Sequence, residues 1–183
     1  MRVLGIVNGN MPLPQKRCPF FGVVFRGKEW LEGLLKGSAE WNGLDATRKI
    51  TQAVKGSSHY GQIRVVMLMG LCFAGFNVVD VAQLAENLQR PVMVFWEKAP
   101  DLGKLKRQLE SLPFGEKRVS MVEKAGNPTP LKLEGGKTFW IQSFGLSVEE
   151  AGRVVKATCK PGFIPEPLRI ARMVGSAFTS LKS

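Results

Sequence analysis

The chain has 183 residues, 44% of them hydrophobic and 22% charged, a composition that excludes a mainly disordered state. Twenty-six Lys and Arg against 15 Asp and Glu leave a formal charge of +11, so polyanions are expected partners, with a generally basic soluble surface as the alternative. The basic residues are scattered, without a basic tail, so any binding patch must be assembled by folding. The longest uncharged run, residues 65–79, is shorter than the roughly 20 apolar residues a bilayer demands and contains Gly70, Gly75 and Asn77. Cys18, Cys72 and Cys159 are odd in number, widely spaced and without a CxxC pair. Free thiols in a reducing cytoplasm are therefore expected, rather than a disulfide framework or a zinc finger. MRVLGIV, cut off by Asn8-Gly9-Asn10, is too short for a signal peptide. The reading is one cytoplasmic domain over 1–183.

In chain order, residues 2–7 predict a buried strand and 11–19 a proline-rich loop. Residues 20–26 and 29–36 predict a hairpin about Gly27-Lys28. Asp45 is placed to cap a helix whose apolar face is Thr47, Ile50, Ala53 and Val54. Residues 64–69 predict a buried parallel strand. Asn77 is read as the cap of the next helix, with Asp80 in its first turn and a core stripe of Val78, Val81, Ala82, Ala85 and Leu88. A strand over 92–96 follows, then a helix opened by Pro100-Asp101. Residues 119–122, 131–133 and 138–142 are read as strands. Ser147 and Glu150 form a capping box, and Pro165-Glu166-Pro167 starts a final helix that buries Leu168, Ala171, Val174 and Phe178. A hairpin group followed by alternating helices and strands predicts an α/β layer with a mixed sheet.

The run FAGFNVVD at 73–80, following RVVMLMG, resembles the signature of an archaeal family of unknown function related to endonuclease V. TFWIQSFGLSVEEAGRVVKA and IPEPLRIAR near the end, with GVVFRG and GLDAT earlier, carry the same resemblance across most of the chain. It implies a ribonuclease H-like, endonuclease V-like fold, with a mixed sheet of about five main strands and helices on its faces. It also implies magnesium or manganese held by carboxylates near the middle of the sheet, generating a nucleophile from water.

The residues depart from that pattern. The first-strand aspartate of the endonuclease is matched by Val7, and the second essential one by Met69. Asn8 offers only a neutral amide, and a thioether is a poor ligand for a hard cation. The histidine after Ser-x-Gly is matched by Leu146. Asp45 is either a helix cap or a remnant ligand. Lys98 stands where the endonuclease has a catalytic lysine, and is otherwise a surface lysine. No cofactor is expected, with magnesium or manganese relevant only to a rearranged site that recruits Asp45, Glu97 or Asp80.

The remaining groups have ordinary readings. His59 is a loop histidine without a fixed partner, and Cys72 is a small buried hydrophobe. Asp80 caps a helix, and Glu166 pairs with Arg169 three residues on, with contact to nucleic acid as Arg169's alternative. Three functions follow. The first is a DNA- or RNA-binding module without the inherited nuclease activity, contacting phosphates through Lys98, Lys104, Arg107, Arg26 and Lys28. Trp96, Trp140 and Phe76 would stack on bases or serve as core. The second is an active phosphodiesterase with the rearranged site. The third is a homo-oligomeric or protein-interaction scaffold built on Trp30, Trp41 and Phe21. No membrane partner is expected.

Overall fold

A computed structural model describes residues 1–9, 11, 15–133 and 136–180. Its centre is a seven-stranded mixed sheet. Strands β1 (Arg2–Asn8), β2 (Arg17–Arg26) and β3 (Trp30–Glu40) form an antiparallel meander. Strands β4 (Val65–Met69) and β7 (Val92–Trp96) run parallel to β1 on its other side. β9 (Thr138–Phe144) is antiparallel to β7, and β8 (Thr129–Lys132) closes that edge. The order is β3-β2-β1-β4-β7-β9-β8. Its first five strands are the expected mixed sheet; the β8–β9 hairpin extends it. A two-residue pair, β5 (Cys72–Phe73) and β6 (Asn77–Val78), stands apart.

Alternation along the strands feeds two cores. Leu4, Ile6, Val66, Leu68, Val92 and Val94 face one side, with Ile50 and Val54 of α1 (Ala46–Lys55) and Leu84 and Leu88 of α2 (Val81–Leu88). Leu109 of α3 (Leu102–Glu110) and Val122 of α4 (Gly115–Lys124) complete that layer. Val3, Val7, Met67, Met93 and Phe95 face the other side, under α5 (Val148–Thr158) and α6 (Glu166–Ser180). Burial of these side chains contributes on the order of 2 kcal/mol each, which holds both helical layers to the sheet. α6 lies so close over β1 that a Cβ on Gly5 would strike the Pro167 backbone. Only glycine permits that approach.

Some sequence readings change. Residues 119–122 lie in α4, because Arg118, Met121 and Val122 share a buried face at helical spacing. A short β-branched and apolar run misleads there. β8 covers Thr129–Lys132 rather than 131–133, with Pro130 on the outermost strand where a missing N–H is tolerated. β2 begins at Arg17; Pro19 fits because it lies past the last β1–β2 pair, Asn8↔Phe20. β3 extends to Glu40 to pair with that added length. Asn77 is not a cap of α2: Asp80 is, its carboxylate accepting from the Gln83 N–H at 3.0 Å. The Ser147–Glu150 capping box is present at α5. Among the described residues, no helix is long and apolar enough to cross a membrane.

Candidate nucleic-acid interface

β1, β3, β4 and β7 all end on one edge of the sheet. Val7 and Met69 sit one step beyond the last β1–β4 pair, Ile6↔Leu68, and both side chains join the core beneath α6. Val7 is 3% exposed. The turn after β4 carries Gly70 at φ 82°, and Trp96 of β7 packs beside it.

The FAGFNVVD segment folds back under this edge and is bound from every side. The Asn8 side-chain oxygen accepts from Ala74 N–H at 3.0 Å, and that of Asn42 accepts from Phe76 N–H at 2.8 Å. Asn42 N–H donates to the Ala74 carbonyl. Ala74 and Gly75 both have positive φ, and a Cβ on Gly75 would collide with the Asn42 side chain. The Asn77 oxygen accepts from Ala46 N–H at 3.0 Å, capping α1 from outside the helix. Its amino group donates to the Glu40 carbonyl and to Asp45. Thr47 Oγ1 accepts from Asp80 N–H, tying α1 to the start of α2. Arg118, 3% exposed, donates to four carbonyls, those of Pro113, Gly43, Phe76 and Asn42, at 2.6–2.9 Å. Sequence reading missed Arg118 and Asn42. Asn42-Gly43 carried a turn signal, but nothing local marks Arg118 as a buried clasp.

Asp45 holds the N-cap position of α1 without a capping hydrogen bond. Its Oδ1 accepts from Glu40 N–H and from Asn77, and its Oδ2 faces Arg17 at 3.6 Å and Arg48 at 3.9 Å. The side-chain capping role expected of it thus passes to Asn77. Burial alone would push its carboxyl up, but these hydrogen bonds and the two arginines outweigh that and hold it below its ordinary value. Asp80 pairs with Lys124, and Glu97 pairs with Arg172 at 2.7 Å. These three carboxylates do not converge. Among the described residues, no group of three or more His, Cys, Asp or Glu is arranged to hold a metal ion. The donors at the ends of β1 and β4 do not fit a hard divalent cation either. The side chains of Val7 and Met69 offer no oxygen, and the Asn8 side-chain oxygen already accepts from Ala74.

The five basic candidates separate. Lys98, Lys104 and Arg107 are exposed after β7 and along α3. Arg26 and Lys28 lie at the opposite edge, where Gly27 N–H bonds the Met1 carbonyl and Arg26 pairs with Glu32. Arg17 and Arg48 join Lys98 at the carboxyl edge and were not singled out from sequence. Trp96, Trp140 and Phe76 are half-buried; Trp96 donates to Gln142 at 2.8 Å. Trp30 and Trp41 are exposed at opposite ends of β3, whereas Phe21 is buried against Phe178. Leu146 follows β9, whose end Phe144 pairs with Val92, so it lies at the far edge from Val7 and Met69. His59 packs against Gly33 of β3. Burial pushes the Cys72 thiol up to about 12, consistent with a packing role. Glu166 is 1% exposed and takes two hydrogen bonds from Arg169, at 2.7 and 2.9 Å.

A family model described as Endonuclease dU matches residues 1–179. The chain belongs to this family. A UPF0215 protein of Methanosarcina acetivorans is 37% identical over 177 residues, covering 96% of this chain and 89% of the relative. Another, from Methanothermobacter thermautotrophicus, is 37% identical over 181 residues, covering 98% and 88%. A crystal structure of an Archaeoglobus fulgidus protein of unknown function is 33% identical with a TM-score of 0.85, covering 97% of both chains. Ciona intestinalis Endonuclease V, bound to DNA containing an inosine, has a TM-score of 0.67 at 14% identity, covering 100% of this chain and 87% of its own. The Endonuclease dU family chain thus shares the endonuclease V fold, as its FAGFNVVD and IPEPLRIAR segments implied.

Proposed function

We propose that this chain is a nucleic-acid-binding domain that keeps the endonuclease V frame without metal-dependent cleavage at the inherited position. The observation that supports this reading is the pair of strand ends, where Val7 is buried in the core, Met69 packs against that core, and neither side chain carries an oxygen for a hard cation. Arg17, Arg48 and Lys98 on the same edge would contact backbone phosphates, with Lys104 and Arg107 continuing from Lys98 along α3. The family description and the inosine-containing DNA held by the Ciona neighbour make DNA with deoxyuridine or inosine the first probe.

The test is a titration of labelled DNA containing deoxyuridine or inosine, then of unmodified single-stranded, duplex and branched DNA and RNA, at several salt concentrations. Each is run with and without magnesium and checked for cleavage. Binding that falls steeply with salt while strands stay intact is the expected result. Absence of binding at low salt overturns the reading. Magnesium-dependent cleavage that disappears in Asp45→Ala replaces it with the rearranged phosphodiesterase.

One observation favours a second reading. The outermost strand β3 exposes Trp30, Leu31 and Leu34, and apolar edges of this kind pair with other strands. Sedimentation that shows a concentration-independent monomer removes self-association.

A further inference from the structure

A small cavity opens on the α5–α6 side of the sheet; its wall residue Phe139 lies beside the end of β7, but Arg17, Arg48 and Lys98 do not line it. Four lysines from three separate segments line it: Lys28 from the β2–β3 turn, Lys137 before β9, and Lys156 and Lys160 about the end of α5. Phe139 and Phe163 supply apolar walls. The carboxyl end of a helix favours cations, which accounts for Lys156 and Lys160. It does not account for Lys28 and Lys137, which distant segments bring to the same cavity. Lys28 and Lys156 have no ion-pair partner among the described residues. Lys160 reaches Glu166 at 3.6 Å, a carboxylate already held by Arg169. Lys137 lies over the Phe139 ring at 5.2 Å. Gathering these ammonium groups raises the local positive potential, and an entering anion relieves it.

Size narrows the ligand. The cavity is about 120 Å³. Drug-sized ligands occupy about 300–1,000 Å³. The space therefore suits one phosphate group and leaves the rest of the ligand outside. Phe163, one of the cavity's lining residues, is 53% exposed, with the Arg169 guanidinium 5.5 Å from its ring. An exposed ring beside a phosphate-sized cavity is the pairing that a base and its phosphate fit.

We infer that Lys28, Lys137, Lys156, Lys160 and Phe163 form a nucleotide-phosphate site. It holds the phosphate among the lysines and the base against Phe163. The phosphate belongs either to a free mononucleotide or to the end of a strand. This inference goes beyond the phosphate-tracking edge and does not depend on it.

The experiment is an NMR titration of the whole chain with thymidine 5′-monophosphate, thymidine, inorganic phosphate and sodium chloride. The expected result is saturable shifts around Lys137, Lys160 and Phe163 with the nucleotide, weaker ones with phosphate, and none with thymidine or chloride. Lys156→Glu with Lys160→Glu should weaken nucleotide binding about tenfold or more. Phe163→Ala should weaken nucleotide but leave phosphate unchanged. Thermal melts check that these surface variants stay folded. A 5′-phosphorylated oligonucleotide binding more tightly than its 5′-hydroxyl twin assigns the site to strand ends; equal binding assigns it to free nucleotides. Shifts that do not saturate, that chloride reproduces, or that survive the double charge reversal overturn the site. Arg17, Arg48 and Lys98 lie outside the cavity, so loss of duplex binding in their variants is a separate outcome.

Discussion

At the carboxyl edge of the sheet, Arg118, Asp45 and Asn77 each find their partners inside the protein. Across the molecule, Lys28 and Lys156 border a cavity without an ion-pair partner among the described residues. The segment that identifies the family is thus bound up in the fold, while unneutralised charge gathers at residues that form no motif. A specific sequence signature can persist because its hydrogen bonds are needed for folding. Groups free to meet a ligand must be sought separately.

Removing the clasp tests that contrast most severely. Arg118→Met leaves four carbonyls without their donor, and should cost about 3–5 kcal/mol in urea unfolding. A loss below about 1 kcal/mol would show that water replaces the guanidinium freely. Asn77→Ala is next, at about 2–3 kcal/mol, because α1 loses its external cap and Asp45 loses a donor. Nucleotide binding at the lysine cavity should be unchanged in whatever fraction of either variant remains folded.

Glu166 sharpens the comparison through pH. Hydrogen bonds from Arg169 hold its carboxyl below the ordinary value of 4.5, against the opposing effect of burial. As pH falls past that value, the unfolded chain takes up the proton first, so the native state loses this advantage. Glu166→Gln should therefore cost about 2 kcal/mol at neutral pH. Thermal melts should show the gap to the parent constant at pH 6–8 and narrowing as pH falls below 4.5. The smallest effect belongs to Lys98→Ala. It should change stability by less than about 0.5 kcal/mol. It should also lower the salt dependence of duplex binding by about one unit of slope.

Local pattern made much of the fold legible. Continuous apolar runs marked β4 and β7, Gly27 marked the hairpin turn, and Ser147 with Glu150 marked α5. Residues 119–122 were harder, because a four-residue apolar run carries too little period to separate strand from helix. Asn77 resembled a cap for the helix ahead of it, yet it caps one that begins 31 residues earlier. The places of Val7 and Met69 at strand ends could be read from the apolar runs they close. The lysine cavity could not, since its walls come from segments far apart in the chain.

The close seat of α6 on β1 also orders events during synthesis. Gly5 and Val7 are made early, but their cover arrives with Leu168 and Ala171. At roughly 5–20 residues per second, the gap is on the order of 10–30 s. Throughout that interval the face of β1 holding Val3 and Val7 has no native lid. The emerging chain therefore passes through a stage in which an apolar sheet surface is open to chaperones, or to a neighbour on the same messenger, until α6 leaves the ribosome.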